Sequence, residues 1–214
     1  LEHFRNVTKH KINGKAKAMI VTPSRLHAVR YVLEFKRQIE EKGYSDLDVL
    51  VAFSGEVVDN DESYTEEKIN KTKDGETIKE KALPAAFHTD DFGLLIVAEK
   101  YQTGFDEPLL HSMFVDKGLR GVKAVQTLSR LNRCCKGKVD TYVLDFCNTA
   151  ESIKDSFQPF YEDTWLGDDI DVNIVYKYLN ELKAYHLWSA DTEEKVFEIY
   201  SKTQDMGKLT SLFK

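Results

Sequence analysis

The sequence lacks any long apolar run, and it contains few cysteines. No stretch approaches the roughly 20 apolar residues that a membrane helix needs, and no signal-peptide pattern is present. Of the three cysteines, Cys134 and Cys135 are adjacent and Cys147 stands apart, a spacing that fits neither a zinc site nor a disulfide framework. We therefore expect no membrane contact and no metal centre, and we place the protein in a reducing compartment, the cytoplasm.

The chain also lacks an excess of basic residues. Its 214 residues include 30 Lys and Arg against 36 Asp and Glu, a formal net charge of −6. A chain of this charge is not an obvious nucleic-acid binder as a whole, so any DNA contact has to come from local patches or from a partner domain. The length allows one large domain, or one domain with an appendage.

Short apolar runs alternate with helical segments in the first two thirds of the chain. The runs lie at residues 18–21, 47–53, 94–98, 112–115 and 141–146. Helices are predicted from Leu26 to Gly43, with Ser24 as the N-cap, and from Gly121 to Cys134. Continuous apolar strands separated by helices are typical of a parallel sheet that is covered on both faces. The predicted fold class is therefore α/β.

Two segments do not fit this alternation. Residues 1–16 are polar and basic and end in the turn signal Asn13-Gly14, so we interpret them as a linker or as a short helix followed by a turn. Residues 54–81 are strongly charged and have no periodicity. We interpret them as a surface insertion that is partly mobile.

The sequence after residue 149 carries no further strand signal. Apolar residues at helical spacing form one stripe, which consists of Ile174, Val175, Tyr178, Leu179, Leu182 and Tyr185. Asp191 with Glu194 resembles a capping box at a helix start. Stripes of this kind are typical of packing surfaces, and we predict that residues 150–214 form a helical extension.

Two segments that follow predicted strands carry side chains suited to a phosphorylated ligand. In the first, the amides of a helix start attract phosphate, and Ser24 and Arg25 add a hydroxyl and a cation. In the second, Gly104 lets the backbone approach a ligand closely, Thr103 can bond a phosphate oxygen, and Asp106 can accept a ribose hydroxyl. Each segment also has an ordinary explanation, a serine at a helix start or a tight turn with an aspartate cap.

Arg130 and Arg133 form the third segment, on the predicted helix before the last strand. At a spacing of three residues, two guanidinium groups project from one helix face. Neither has an acidic neighbour three or four residues away, and a guanidinium fork matches phosphate geometry. A solvated basic face is the ordinary alternative. The three segments lie at or next to the carboxyl ends of strands, where open α/β sheets bind ligands.

In this order and spacing the three segments resemble motifs IV, V and VI of superfamily 2 helicases. More narrowly, residues 101–111, residues 114–117, the Gln126…Arg130…Arg133 pattern and the strand ending at Phe146 resemble the R (restriction) subunit of type I restriction-modification enzymes. The resemblance covers roughly residues 15–165. Ser129 is a departure, because many helicases carry glycine there.

Two motifs of such motors are missing. The sequence has no Gly-x-x-x-x-Gly-Lys-[Ser/Thr] loop and no Asp-Glu-x-[His/Asp] box, which cradle phosphate and hold Mg²⁺. The resemblance implies that they belong to a first RecA-like lobe upstream, with a nuclease domain further upstream still. It implies that residues 17–149 are the second RecA-like lobe, and that ATP and Mg²⁺ are held mainly by the first.

The resemblance also implies roles for single residues. Arg133 is expected to be an arginine finger on the γ-phosphate, with Arg130 assisting. The expected nucleotide-binding residues are Gly104, Asp106 and Gln126. The residues expected to hold the DNA backbone without reading bases are Thr22, Ser24, Arg25 and Thr103.

The implied function is that of a fragment of the ATP-dependent DNA-translocating subunit of a type I restriction endonuclease, in a bacterial or archaeal cytoplasm. Its expected partners are double-stranded DNA, the upstream lobe and nuclease domain, and the modification and specificity subunits. The fragment alone is expected to be inactive. The alternatives are the second lobe of another superfamily 2 helicase or translocase, and a non-catalytic α/β binding module whose arginines are only surface.

Overall fold

A five-stranded parallel sheet forms the centre of the computed structural model, which describes residues 1–165 and 190–202. The strands of the described residues are β1 (Lys17–Val21), β2 (Asp48–Ala52), β3 (Val57–Asp59), β4 (Glu62–Tyr64), β5 (Phe92–Val97), β6 (Leu110–Val115) and β7 (Tyr142–Asp145). Five of them pair in parallel in the order β2-β5-β1-β6-β7, while β3 and β4 form a separate antiparallel hairpin. All five predicted strands are present, which confirms the α/β class.

Helices lie on both faces of this sheet. The α-helices of the described residues are α1 (Glu2–Asn6), α2 (Arg25–Glu41), α3 (Glu66–Ile69), α4 (Leu83–His88), α5 (Val122–Leu128), α6 (Ala150–Trp165) and α7 (Ala190–Lys202). On one face Val29 and Val32 of α2 pack in a buried cluster with Ile20 of β1. On the other face Phe87 of α4 packs in a second cluster with Met19. Successive side chains of each strand therefore enter two different cores, which explains the continuous apolar runs.

The start of α2 is capped as predicted. The Ser24 side chain accepts a hydrogen bond from the His27 backbone amide at 3.3 Å, which satisfies one of the unpaired donors of the first turn. The helix ends at Glu41, and Gly43 follows with a φ of 64°. This capped helix start places Ser24 and Arg25 at the carboxyl end of β1, in the middle of the sheet.

Residues 54–81 are largely exposed, as predicted for a surface insertion, but Glu66 and Asn70 of this segment are buried against an edge of the sheet. Asn70 is fully buried, and its amide donates to the Val51 carbonyl at 2.7 Å and accepts from the Val51 amide at 2.9 Å. Buried Glu66 accepts from the Phe53 amide at 2.6 Å. An edge strand exposes backbone donors and acceptors that need partners, and these two polar side chains supply them to β2.

Residues 1–16 pack onto the sheet as α1 and two short turns, so they form the short helix and turn rather than a free linker. The Phe4 ring is buried, and it lies so close to Gly93 that a Cβ there would be 2.5 Å from it. The Thr8 hydroxyl lies 2.7 Å from the Ser112 hydroxyl of β6. The first strand of the sheet therefore follows directly on an anchored segment.

The chain divides into two compact units, Leu1–Tyr161 and Glu162–Lys214. Beyond residue 149 the described segments, α6 and α7, are helical. Asp191 lies in the first turn of α7, which already begins at Ala190. The predicted stripe from Ile174 to Tyr185 lies outside the described residues. In the part of the chain that the structure describes, no helix is long and apolar enough to cross a membrane.

Candidate functional site

The helix that leads to the two arginines ends earlier than predicted. Helix α5 stops at Leu128, a 3-10 turn follows over Ser129–Leu131, and Asn132 is the residue that ends this turn. The Ser129 hydroxyl donates to the Val125 carbonyl at 2.6 Å, and this kind of side-chain bond competes with regular helix geometry. The prediction that Arg130 and Arg133 share one helix face is therefore wrong.

Arg133 has an acidic partner that the local sequence does not reveal. Its Nε donates to Asp106 Oδ1 at 2.7 Å, and the two side chains are 41% and 71% exposed. The two residues are 27 positions apart in the chain. The fold thus joins the second and third segments into one site, with a guanidinium already facing an anionic group at the surface.

Arg130 faces the backbone instead of a carboxylate. Its Nε donates to the Gln126 carbonyl at 3.0 Å, and its Nη1 donates to the Phe105 carbonyl at 3.2 Å. The Phe105 ring is buried in the core. Arg130 therefore braces the end of α5 against the residue that immediately precedes Asp106.

The loop that carries Gly104 has an unusual backbone. Gly104 has a φ of 70°, and the space where a side chain would begin is open. Glu99 and Tyr101, which are not glycines, also have a positive φ of 63° each, a conformation that costs on the order of 1–2 kcal/mol per residue. Strained backbone of this kind persists only where its surroundings hold it, and it clusters at ligand sites.

Lys100 lies between these two strained residues and anchors the loop. Its Nζ lies 2.7 Å from Glu66 Oε2 and 2.8 Å from Glu80 Oε1. Burial raises the pKa of the Glu66 carboxyl, and the Lys100 ammonium opposes this shift. The Tyr101 ring packs against Phe105 at 4.9 Å between centroids. Polar and apolar anchors together fix the path of the chain towards Gly104 and Asp106.

Lys138 is a site residue that the sequence analysis missed. Its Nζ donates to four backbone carbonyls, those of Leu131 at 2.6 Å, Leu110 at 2.7 Å, Arg133 at 2.9 Å and Pro108 at 3.3 Å. Burial lowers the pKa of this ammonium. A lysine beside Gly137 gives no sequence signal, because its acceptors are main-chain atoms of distant turns.

The first segment divides into one buried and two accessible residues. Thr22 is fully buried, and the single proton of its hydroxyl is shared between the carbonyls of Val97 at 3.0 Å and Ser24 at 3.1 Å. A DNA strand cannot reach that hydroxyl, so the prediction for Thr22 is wrong. Ser24 is half-buried, and exposed Arg25 donates from Nη1 to the Ser54 carbonyl at 2.9 Å.

The remaining predicted residues are accessible. Thr103, Gly104 and Asp106 are exposed on the loop after β5, and Gln126 is exposed on α5. Among the described residues no hydrogen bond or ion pair joins Ser24 or Arg25 to Asp106 or Arg133, so the structure brings the second and third segments into contact and leaves the first segment apart. In the same residues no group of three or more His, Cys, Asp and Glu side chains is arranged to hold a metal ion.

The sequence of this site matches a known family. Residues 77–148 match the model of the type I restriction enzyme subunit R domain 3. This range includes β5, β6 and β7 and all of the residues around Asp106, Arg130, Arg133 and Lys138. It does not include Ser24 and Arg25.

Curated relatives extend the similarity beyond that domain. The putative type I restriction enzyme MjaIXP endonuclease subunit of Methanocaldococcus jannaschii is 26% identical over 175 residues, which are 82% of this chain and 16% of that protein. The type I restriction enzyme HindI endonuclease subunit of Haemophilus influenzae is 25% identical over 117 residues, which are 51% of this chain and 11% of that protein. This chain therefore spans only a small part of the length of these relatives.

A solved structure with a related outline is the C-terminal part of the Fun30 ATPase domain. It has a TM-score of 0.37 and 13% sequence identity, and the match covers 81% of this chain and 50% of that one. At this TM-score the likeness adds nothing to the assignment. The family model and the curated relatives confirm the resemblance seen in the sequence: residues 77–148 match domain 3 of the type I restriction enzyme R subunit, and most of the chain is similar to endonuclease subunits of such enzymes.

Proposed function

We propose that this chain is the second motor lobe of an ATP-dependent DNA translocase, within the R subunit of a type I restriction endonuclease. In this proposal a first RecA-like lobe of the same polypeptide holds ATP and Mg²⁺, and the present chain closes over them. Missing phosphate-loop and Asp-Glu motifs in this sequence support that division of labour.

The contact between Arg133 and Asp106 carries the proposal. The guanidinium already binds a carboxylate oxygen at 2.7 Å, and both side chains are accessible. A surface ion pair contributes only about 0–1 kcal/mol, so a phosphate oxygen can replace Asp106 at little cost. Asp106 is then available to accept a ribose hydroxyl of the same nucleotide.

Arg133 acts in this mechanism as the arginine finger on the γ-phosphate. A finger of this kind is worth about 10³–10⁵ in rate, or roughly 4–7 kcal/mol. Arg130 assists because its bond to the Phe105 carbonyl holds the Asp106 turn in place. Gln126 positions the nucleotide from α5, and the bare backbone at Gly104 lets it approach closely.

DNA binding is assigned to the accessible residues of the first segment and the loop after β5. Ser24, Arg25 and Thr103 hold the sugar-phosphate backbone without reading bases. Cycles of lobe closure and opening move the duplex, while cleavage belongs to a separate nuclease domain. The modification and specificity subunits of the complex are the further partners, and the specificity subunit recognises the DNA sequence.

The test replaces Arg133 by alanine in the intact subunit that contains this chain. We expect DNA-stimulated ATP turnover to fall by at least about 10³-fold, while the unfolding midpoint stays unchanged because the ion pair is exposed. Lys136→Ala is the matched control, since this exposed lysine lies three residues further on, and it is expected to keep full turnover. Wild-type turnover in Arg133→Ala would refute the proposed function.

A further inference from the structure

The Lys138 ammonium joins the two turns that form the candidate site. Two of its four acceptors, the carbonyls of Pro108 and Leu110, follow Asp106 in the chain. The other two, the carbonyls of Leu131 and Arg133, belong to the arginine turn. One side chain thus holds the backbone on both sides of the contact between Asp106 and Arg133.

The chemistry of Lys138 suits a rigid connection between two backbone segments. An ammonium carries three N–H donors and no acceptor, so at least one of its protons is shared between two of the four carbonyls. Its charge makes an unshared bond to a carbonyl roughly twice as strong as a neutral one. All four acceptors are main-chain oxygens, so the contact constrains the path of the chain rather than the rotamer of a neighbour. One of them is the carbonyl of Arg133 itself, so Lys138 directly bonds the backbone of the residue that carries the guanidinium.

Two weaker contacts connect the same turns. The Cys135 thiol donates to the Pro108 carbonyl at 3.4 Å, and Arg130 Nη1 donates to the Phe105 carbonyl at 3.2 Å. Each of them uses a single acceptor, whereas Lys138 uses two in the arginine turn and two after Asp106, of which Leu110 is the first residue of β6. Loss of Lys138 would therefore leave the turns connected but free to shift relative to each other.

We propose that Lys138 is a positioning residue of the motor, which holds the Arg133 backbone at the distance from the Asp106 turn that the finger needs. This inference rests on the proposed function, because it assumes that Arg133 meets a phosphate. Displacement of a catalytic group by about 1 Å can lower a rate by about 10²-fold. A clamp on the backbone of Arg133 therefore affects the rate without touching the nucleotide.

Lys138→Met in the intact subunit is the direct test. Methionine keeps much of the length of the side chain and removes its donors and charge. We expect kcat of the DNA-stimulated ATPase to fall by about 10- to 100-fold, with KM for ATP within about twofold of wild type because the first lobe holds most of the nucleotide. Lys136→Met, a substitution of the exposed lysine two residues earlier, is the control and is expected to leave both constants unchanged.

A double variant separates positioning from general stability. If Lys138 acts through Arg133, Arg133→Ala with Lys138→Met loses no more turnover than Arg133→Ala alone. If the loss of turnover in the double variant equals the product of the two single losses, Lys138 does not act through Arg133. Wild-type kcat in Lys138→Met would likewise contradict the positioning role. Where Lys138→Met does not fold, Lys138→Gln is used, because its amide can still serve two carbonyls and is expected to give an intermediate kcat; wild-type kcat there contradicts the inference.

The two proposals fail in different ways. Wild-type turnover in Arg133→Ala refutes the motor assignment, and the clamp with it. A large loss in Arg133→Ala together with wild-type kcat in Lys138→Met refutes the clamp alone and leaves the motor assignment standing.

Discussion

Thr22 and Arg25 lie in the same short segment, but the side chain of one is buried and that of the other is exposed. Thr22 directs its hydroxyl inward, where it satisfies the backbone at the end of β1. Arg25 extends over the surface and donates to the Ser54 carbonyl. Their residue types alone made both of them candidates for a phosphate contact, and only burial separates them.

We expect Thr22→Val to affect stability and to leave DNA binding unchanged. The substitution keeps the shape of the side chain but removes a buried donor, and a lost hydrogen bond of this kind costs about 1 kcal/mol in the free energy of unfolding. Urea unfolding and DNA affinity are measured on the same protein. If DNA binding weakens while the free energy of unfolding is unchanged, Thr22 does contact DNA and its assignment as a structural residue is wrong.

Arg25→Ala is expected to give the opposite result. Loss of one phosphate contact weakens binding uniformly across DNA sequences and lowers the slope of log K against log salt by about 1. The free energy of unfolding stays within about 0.5 kcal/mol of wild type because Arg25 is exposed. A salt titration of binding checks this, and an unchanged slope contradicts the assignment of Arg25 to the DNA backbone.

At the scale of elements, the sheet edge at β2 depends on a segment that has no helical or strand period. Asn70 and Glu66 act as substitutes for a missing neighbouring strand, since their side chains bond the backbone of Val51 and Phe53. The sequence could predict β2 from its apolar run. It could not predict these partners, because an isolated Asn and Glu in a charged segment look like solvated surface.

Asn70→Ala tests this account of the edge. It leaves the Val51 amide and carbonyl without their buried partners, and each such group costs about 1–3 kcal/mol. We expect a loss of about 2–4 kcal/mol in the free energy of unfolding, measured by urea denaturation. Glu67→Ala, on the exposed side of α3 just before Asn70, is the control, and equal losses in the two variants would contradict the edge-capping role.

The helix before the last strand shows a second limit of prediction by element. Its period predicted a helix to Cys134, but the Ser129 side chain bonds the backbone of its own helix and α5 ends at Leu128. The prediction that both arginines project from one face of an α-helix therefore assumed a helix that does not extend to them. The two arginines still reach the second segment, because the following turns bring them to Phe105 and Asp106.

At the scale of the whole molecule, the proposed motor is incomplete. The chain supplies an arginine site but no phosphate loop, and its net charge of −6 gives it no general attraction to DNA. Its match covers only 16% of the length of one curated relative.

The isolated chain is therefore expected to hydrolyse no ATP, with or without DNA. Phosphate release is measured on the purified chain and, as the positive control, on the same chain joined to its upstream lobe. Turnover by the chain alone would mean that a complete ATP site lies within these 214 residues, and the division between two lobes would be abandoned.

The sequence by itself determined the alternation of strands and helices, the cap at Ser24 and the residue types at the site. These features depend on neighbours within a few positions, where apolar period, capping and turn chemistry act. Tertiary structure decided which polar groups meet: Arg133 with Asp106, Lys138 with Leu110, and Asn70 with Val51, pairs that are 27, 28 and 19 residues apart. Such pairs form only once the sheet has brought distant parts of the chain together. A pattern of neighbouring residues in the sequence therefore cannot predict them.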